Sequence, residues 1–296
     1  MSDWSPDRPW RFALIGTLFV ALLAGLLAIW AKGRFEWGPA EIPKAQGEAI
    51  DKSFASSSGG LRYRSSVVAA VIREPENTWS NLAFVFAGLV VAAHDRRIFG
   101  RLFGTALVAL GIASGLYHAS LLSALRTFDV GMMGWAVFSL GCLGWFAVGR
   151  TWAATSIVAL ESSSAQLTVG LAGAVLAVAT AIFRNTVKIA GVKAFDSTYV
   201  TVTGIGVVLL FLAGGMVVAA QKLPAGRIPT NRILGLFLVV GAAIIFQLGD
   251  HPGKWLFQPE SLIQAHAAWH ILMALAALQC HDLCALIEGR GPLFLP

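Results

Sequence analysis

The chain has 296 residues, 56% of them hydrophobic and only 13% charged, against about 25% charged in soluble domains, which excludes a water-soluble globular fold. Lys and Arg exceed Asp and Glu, 22 against 16, but they sit in short patches between apolar runs, as loops at an anionic leaflet do, so no nucleic-acid partner is implied. Three cysteines, Cys142, Cys280 and Cys284, are too few for a disulfide framework and leave the redox compartment open.

Phe12 to Ala31 runs without a charge, which as a helix matches the roughly 30 Å hydrocarbon core of a bilayer. The run is longer than a signal peptide's apolar segment, and Trp30-Ala31-Lys32 offers no small-residue cleavage site. Residues 1–31 therefore read as an uncleaved membrane anchor. Residues 32–73 are mostly polar, and Ser53-Phe54-Ala55-Ser56-Ser57-Ser58-Gly59-Gly60 has the small polar composition of a flexible linker. Residues 74–296 then form the main membrane domain.

Within that domain seven apolar stretches follow, at approximately 77–93, 102–122, 128–149, 165–183, 199–220, 232–249 and 261–286. They predict an all-α integral membrane fold: a seven-transmembrane-helix bundle with one extra N-terminal transmembrane helix. Arg96, Arg97 and Arg101 follow the first helix of the bundle, and Lys222, Arg227 and Arg232 lie between its fifth and sixth. These loops fall on one side of a seven-helix zigzag, which the positive-inside rule makes cytoplasmic, although Arg184, Lys188 and Lys193 fall on the other. The end carrying Glu74 then faces away from the cytoplasm, across a bacterial inner membrane or an endoplasmic reticulum or Golgi-type membrane.

Ionisable side chains at membrane depth are costly, so each is a candidate for function. His266 and His270, in Gln264-Ala265-His266-Ala267-Ala268-Trp269-His270, lie four apart on one face of the last helix, a spacing that lets two imidazoles share a metal. His118, in Ser114-Gly115-Leu116-Tyr117-His118, closes the second helix of the bundle, and Asp129, eleven residues on, opens the third. By zigzag parity the last helix begins on the same face, so three histidines converge there.

Three neutral imidazoles with an open fourth position are the ligand set of a catalytic zinc, which lowers the pKa of bound water to about 7. Asp129 is placed to orient or deprotonate that water. Ser114, one helical turn before His118, is placed to donate to an oxyanion. The alternative is three histidines satisfied separately. Cys280-His281-Asp282-Leu283-Cys284 lies about three turns from His270, near the far end of the last helix, and reads as structure. His94 and His251 read as solvated loop residues, and Asp250 to Trp255 as a lip above the site. Trp79, Trp135, Trp255 and Trp269 read as interfacial anchors or as the lining of an acyl pocket.

The spaced set Ser114-x3-His118, Asp129 and His266-x3-His270, with Glu74-Pro75-Glu76-Asn77-Thr78-Trp79-Ser80-Asn81 opening the first helix of the bundle, resembles the alkaline ceramidase family over about 74–286. That family belongs to a seven-helix superfamily which also holds the adiponectin and progestin receptors and a group of lipid-remodelling proteins. The resemblance implies a zinc-dependent hydrolase that cleaves the amide bond of ceramide or another N-acyl membrane lipid. It implies zinc on His118, His266 and His270, with Ser114 and Asp129 as the catalytic pair.

Glu74 matches a family acidic residue that helps bind a structural calcium. The family's other calcium ligands have no clear counterpart, since Val67 to Ile72 is apolar and Glu36 and Glu41 are far upstream. A charge favourable to the following helix dipole is the alternative role for Glu74. A lipid ester hydrolase and a seven-helix receptor with a structural zinc stay open as alternative functions. A transporter is disfavoured, because no internal inverted repeat or pair of half-helices is visible.

Overall fold

A computed structural model describes residues 9–31, 72–152, 162–186, 188–189, 192–193, 228–250, 255–256, 264–291 and 293. Helix α1 spans Pro9–Ala31, α2 Pro75–Ser80, α3 Leu82–His94, α4 Ile98–Ser120, α5 Ser123–Trp152, α6 Ser163–Thr186, α7 Thr230–Gly249 and α8 Ala265–Ile287. Six of them, α1 and α4 to α8, are long and apolar enough to cross a membrane, so the fold is the expected all-α membrane architecture. The stretch expected at 199–220 and the linker up to residue 71 lie outside the described residues. Hydropathy gave no sign of the two-residue antiparallel pairing between β1 (Lys188–Ile189) and β2 (Val192–Lys193) that follows α6.

The first helix of the bundle, expected as one piece over 77–93, is divided at Asn81 into α2 and α3. The Asn77 carbonyl accepts the Ser80 hydroxyl at 3.0 Å and the Asn81 side-chain amide at 2.7 Å. Short polar side chains that bond nearby carbonyls in this way compete with the helical ladder. The turn they make lies against α4, where the Asn81 carbonyl leaves room only for Gly111.

Helices α3, α4, α5 and α8 surround a core that includes Phe84, Phe103, Leu107, Leu140, Leu143, Ala274 and Cys284. Helices α3 and α4 cross backbone to backbone: a Cβ on Gly88 would overlap the Gly104 carbonyl oxygen, and one on Gly104 would lie 2.7 Å from that of Gly88. Close approach of this kind is what small residues provide between membrane helices. Helix α1 packs on α3 with Ala13 buried and Gly16 facing Leu89, while Ile15, Phe19 and Ile29 stay exposed.

The two ends of the bundle differ chemically. At one end Asp95 is fully buried and accepts from Arg97 Nη2 at 2.6 Å, His281 Nε2 at 3.1 Å and Arg290 Nη2 at 3.3 Å. Burial pushes its carboxyl up, but the bonds and charges of Arg97, His281 and Arg290 outweigh that and hold it far below the usual carboxylate range. Arg97 also binds Glu288, and Arg232 pairs with Asp282 at 3.3 Å. The Arg97 and Arg232 loops thus share one end, as the zigzag predicts, and His281 and Asp282 serve structure there. His94 is the last residue of α3 rather than a solvated loop residue, and its ring meets His281 edge-on at 5.6 Å.

Candidate metal centre

At the opposite end the C-terminus of α4 and the N-terminus of α8 bring three histidines together. Ring centroids of His118, His266 and His270 are 4.6 to 5.2 Å apart, all edge-to-face. One ligand atom from each lies within 4.8 Å of the others. Tetrahedral zinc with Zn–N of about 2.0–2.1 Å wants its nitrogens roughly 3.3 Å apart, so small ring rotations suffice. His270 is 1% exposed, yet its Nε2 has no hydrogen-bond partner. A buried acceptor without a donor is costly in a merely structural cluster and suits a metal ligand.

Each ring turns Nδ1 toward the protein. His118 Nδ1 meets Glu74 Oε2 at 2.6 Å, His270 Nδ1 meets Ser80 Oγ at 2.8 Å, and His266 Nδ1 lies 3.7 Å from Asp250 Oδ2. The last separation is too long for a direct hydrogen bond. With Nδ1 so engaged on His118 and His270, Nε2 is the atom those two rings turn to the centre, and such outer partners are how metal-binding imidazoles are held in register. Trp269 stacks on His266 at 5.3 Å and packs against His270 at 5.1 Å.

The same segment that orients His118 also caps its helix. Leu121 ends α4 in the left-handed conformation, φ 53°. The last carbonyls of α4 accept from outside the helix: His118 from Glu74 N at 3.2 Å, Ala119 from Arg73 N at 3.0 Å and Ser120 from Arg73 Nη1 at 2.5 Å. Arg73 and Glu74 thereby satisfy carbonyls that a helix end leaves without partners.

Burial raises the Glu74 carboxyl, but His118, Asn77 and the charge of His266 outweigh it and leave the carboxyl below its usual range. Asp250 goes the other way: burial and then the Glu74 charge push it up to about 7, against the pull of His118.

Ser114 and Asp129 are both buried. Ser114 and His270 line one cleft, whose remaining wall is apolar or aromatic and runs down past Met133, Leu140 and Phe103 to Ala277. Ser114 and His270 thus share a wall. Asp129 lies on α5 and is not among the residues that line this cleft.

Glu74 carries two alternative expected roles, a calcium ligand or a charge at the helix start. Its Oε2 is engaged by His118 and by Asn77 Nδ2 at 3.2 Å, while any ligands upstream of residue 72 lie outside the described residues. Of the tryptophans expected as anchors or pocket lining, Trp269 lines the cleft, Trp135 donates to the Gly170 carbonyl at 3.2 Å, and Trp255 is exposed. Sequence reading passed over Ser80 and Arg73. Ser80 stood inside the motif that opens the bundle, and its signal was a hydroxyl at the mouth of an apolar run.

Compared with known proteins, the chain is matched over residues 65–288 by the family model described as Ceramidase. No curated protein and no solved structure matches it. The matched stretch contains Glu74, Ser114, His118, Asp129, His266 and His270.

Proposed function

The chain belongs to the ceramidase family, and from that premise we propose a zinc-dependent intramembrane hydrolase that cleaves the amide bond of ceramide or a related N-acyl lipid and releases the fatty acid. The observation that carries the reading is the three-histidine centre at the head of an apolar cleft. His118, His266 and His270 would hold the metal. Bound there, zinc supplies Lewis-acid polarisation of the carbonyl and a water of lowered pKa.

The chain's own residues do the rest. The cleft takes the acyl chain and keeps bulk water from it, setting the amide beside Ser114. The Ser114 hydroxyl donates to the carbonyl oxygen as charge builds on it. An Asp129 carboxylate oxygen takes the proton of the attacking water and returns it to the departing nitrogen, so that the amine leaves neutral. Residues 74–296 form the catalytic unit in this reading, with α1 as its anchor, and the Arg97–Arg232 end faces the cytoplasm with the histidines on the far side.

The test measures fatty-acid release from N-acyl and O-acyl lipids, with zinc content on the same samples. Ser114→Ala should lower turnover about 10²–10³-fold and Asp129→Asn about 10²–10⁴-fold, both keeping their zinc. Wild type that releases no fatty acid, or variants as active as wild type, would favour a receptor with a structural metal. Cleavage of O-acyl lipids alone would make the protein an ester hydrolase.

A further inference from the structure

Ser80 ends α2 with its hydroxyl oxygen 3.0 Å from the Asn77 carbonyl oxygen and 2.8 Å from His270 Nδ1, across 190 residues of sequence. A hydroxyl has one hydrogen, and a carbonyl oxygen can only accept. The Ser80 hydrogen therefore goes to Asn77, and the oxygen shows the histidine only lone pairs. Nδ1 must then carry the ring's hydrogen. In a neutral imidazole that leaves Nε2 bare, and Nε2 is the buried atom with no hydrogen-bond partner. The opposite tautomer would set the Nδ1 lone pair against those of Ser80 and aim an N–H into the cluster formed with His118 and His266.

We propose that Ser80 is a positioning residue for the metal centre: it fixes the Nδ1–H tautomer of His270 and so presents a ready Nε2 lone pair to the metal. This rests on the metal reading above. Ser80 differs from the partner of His118 in being neutral, so it sets the tautomer without adding charge to the centre. Loss of an outer-shell partner of a metal-binding histidine costs about 10–100-fold in metal affinity. A neutral hydroxyl makes a weaker bond than a carboxylate does, which places the expected loss near the lower figure.

The test uses the full chain in detergent, with zinc affinity measured by competition against a chromophoric chelator and the visible absorption of bound cobalt(II) as a report on ligand geometry. Ser80→Ala and Ser80→Val should weaken zinc about 10-fold and alter the cobalt spectrum. Ser80→Thr, which has the shape of the valine variant but keeps the hydroxyl, should restore both. If Ala and Val variants bind zinc as wild type does, with the same cobalt spectrum, the proposal is overturned while the metal reading stands. If wild type takes up no metal, the metal reading itself fails.

Should the variants not fold, the metal-free wild type decides. Ring nitrogen-15 shifts, assigned to His270 by comparison with His270→Gln, should show Nδ1 protonated and Nε2 bare, and the reverse would overturn the proposal.

Discussion

Glu74→Gln isolates the charge that His118 feels. Glutamine keeps the shape and one oxygen acceptor toward His118 Nδ1, where the carboxylate oxygen now sits at 2.6 Å. Hydrogen bonds to an ionised acceptor are roughly twice as strong as neutral ones, and outer-shell changes around metal-binding histidines cost about 10–100-fold in affinity. At about 1.4 kcal/mol per tenfold, removal of the bond spans roughly 1.4–2.8 kcal/mol. Glutamine, which keeps a weaker bond, should lie near 10-fold, and Glu74→Ala near 100-fold. The assay is chelator competition for zinc, run once with a calcium-selective chelator and once with excess calcium. A carboxylate that acts directly on His118 gives the same loss in both. If the glutamine variant matches wild type once calcium is stripped, Glu74 acts through calcium and the direct-contact reasoning is refuted.

At the other end of the bundle, Asp95→Asn removes the charge that Arg97 and Arg290 share, while Glu288 still pairs with both, and should cost about 1–3 kcal/mol. Because the folded carboxyl is held below its unfolded value, its stabilisation is present above about pH 4 and is lost as pH falls further. Unfolding in micelles should therefore show a constant gap between wild type and variant from about pH 8 to 5 that narrows in stronger acid, and a gap that grows in acid would contradict this. Gly104→Ala puts a methyl 2.7 Å from the Gly88 carbonyl oxygen and should cost about 1–3 kcal/mol by forcing α3 and α4 apart, read as a lowered Tm. Ala277, seven residues and about 10 Å below His270 along α8, lines the cleft. Ala277→Leu should cut kcat/KM for long-chain N-acyl substrates about 10-fold or more while sparing short-chain ones, and equal losses on both would argue against an acyl chain in this cleft.

Much of this protein was legible before any coordinates. A bilayer demands helices of about twenty apolar residues, so α1 and α4 to α8 stood out as uninterrupted runs, with ends off by a few residues. The pairing of His266 with His270 follows from helical repeat alone. Their meeting with His118 follows from counting crossings, because a chain that zigzags through a membrane must bring alternate helix ends to one face. What the sequence left open is whatever depends on the distance between helices and the angle at which they cross. The break at Asn81 comes from side chains outcompeting the ladder at one carbonyl, and apolar count is blind to it. The Gly88–Gly104 contact sets how near α3 lies to α4. With it goes the reach of Glu74 to His118 over 44 residues and of Ser80 to His270 over 190. Hydrogen bonds act within about 3 Å, and only the packed tertiary structure decides which hydroxyl or carboxylate arrives at that range.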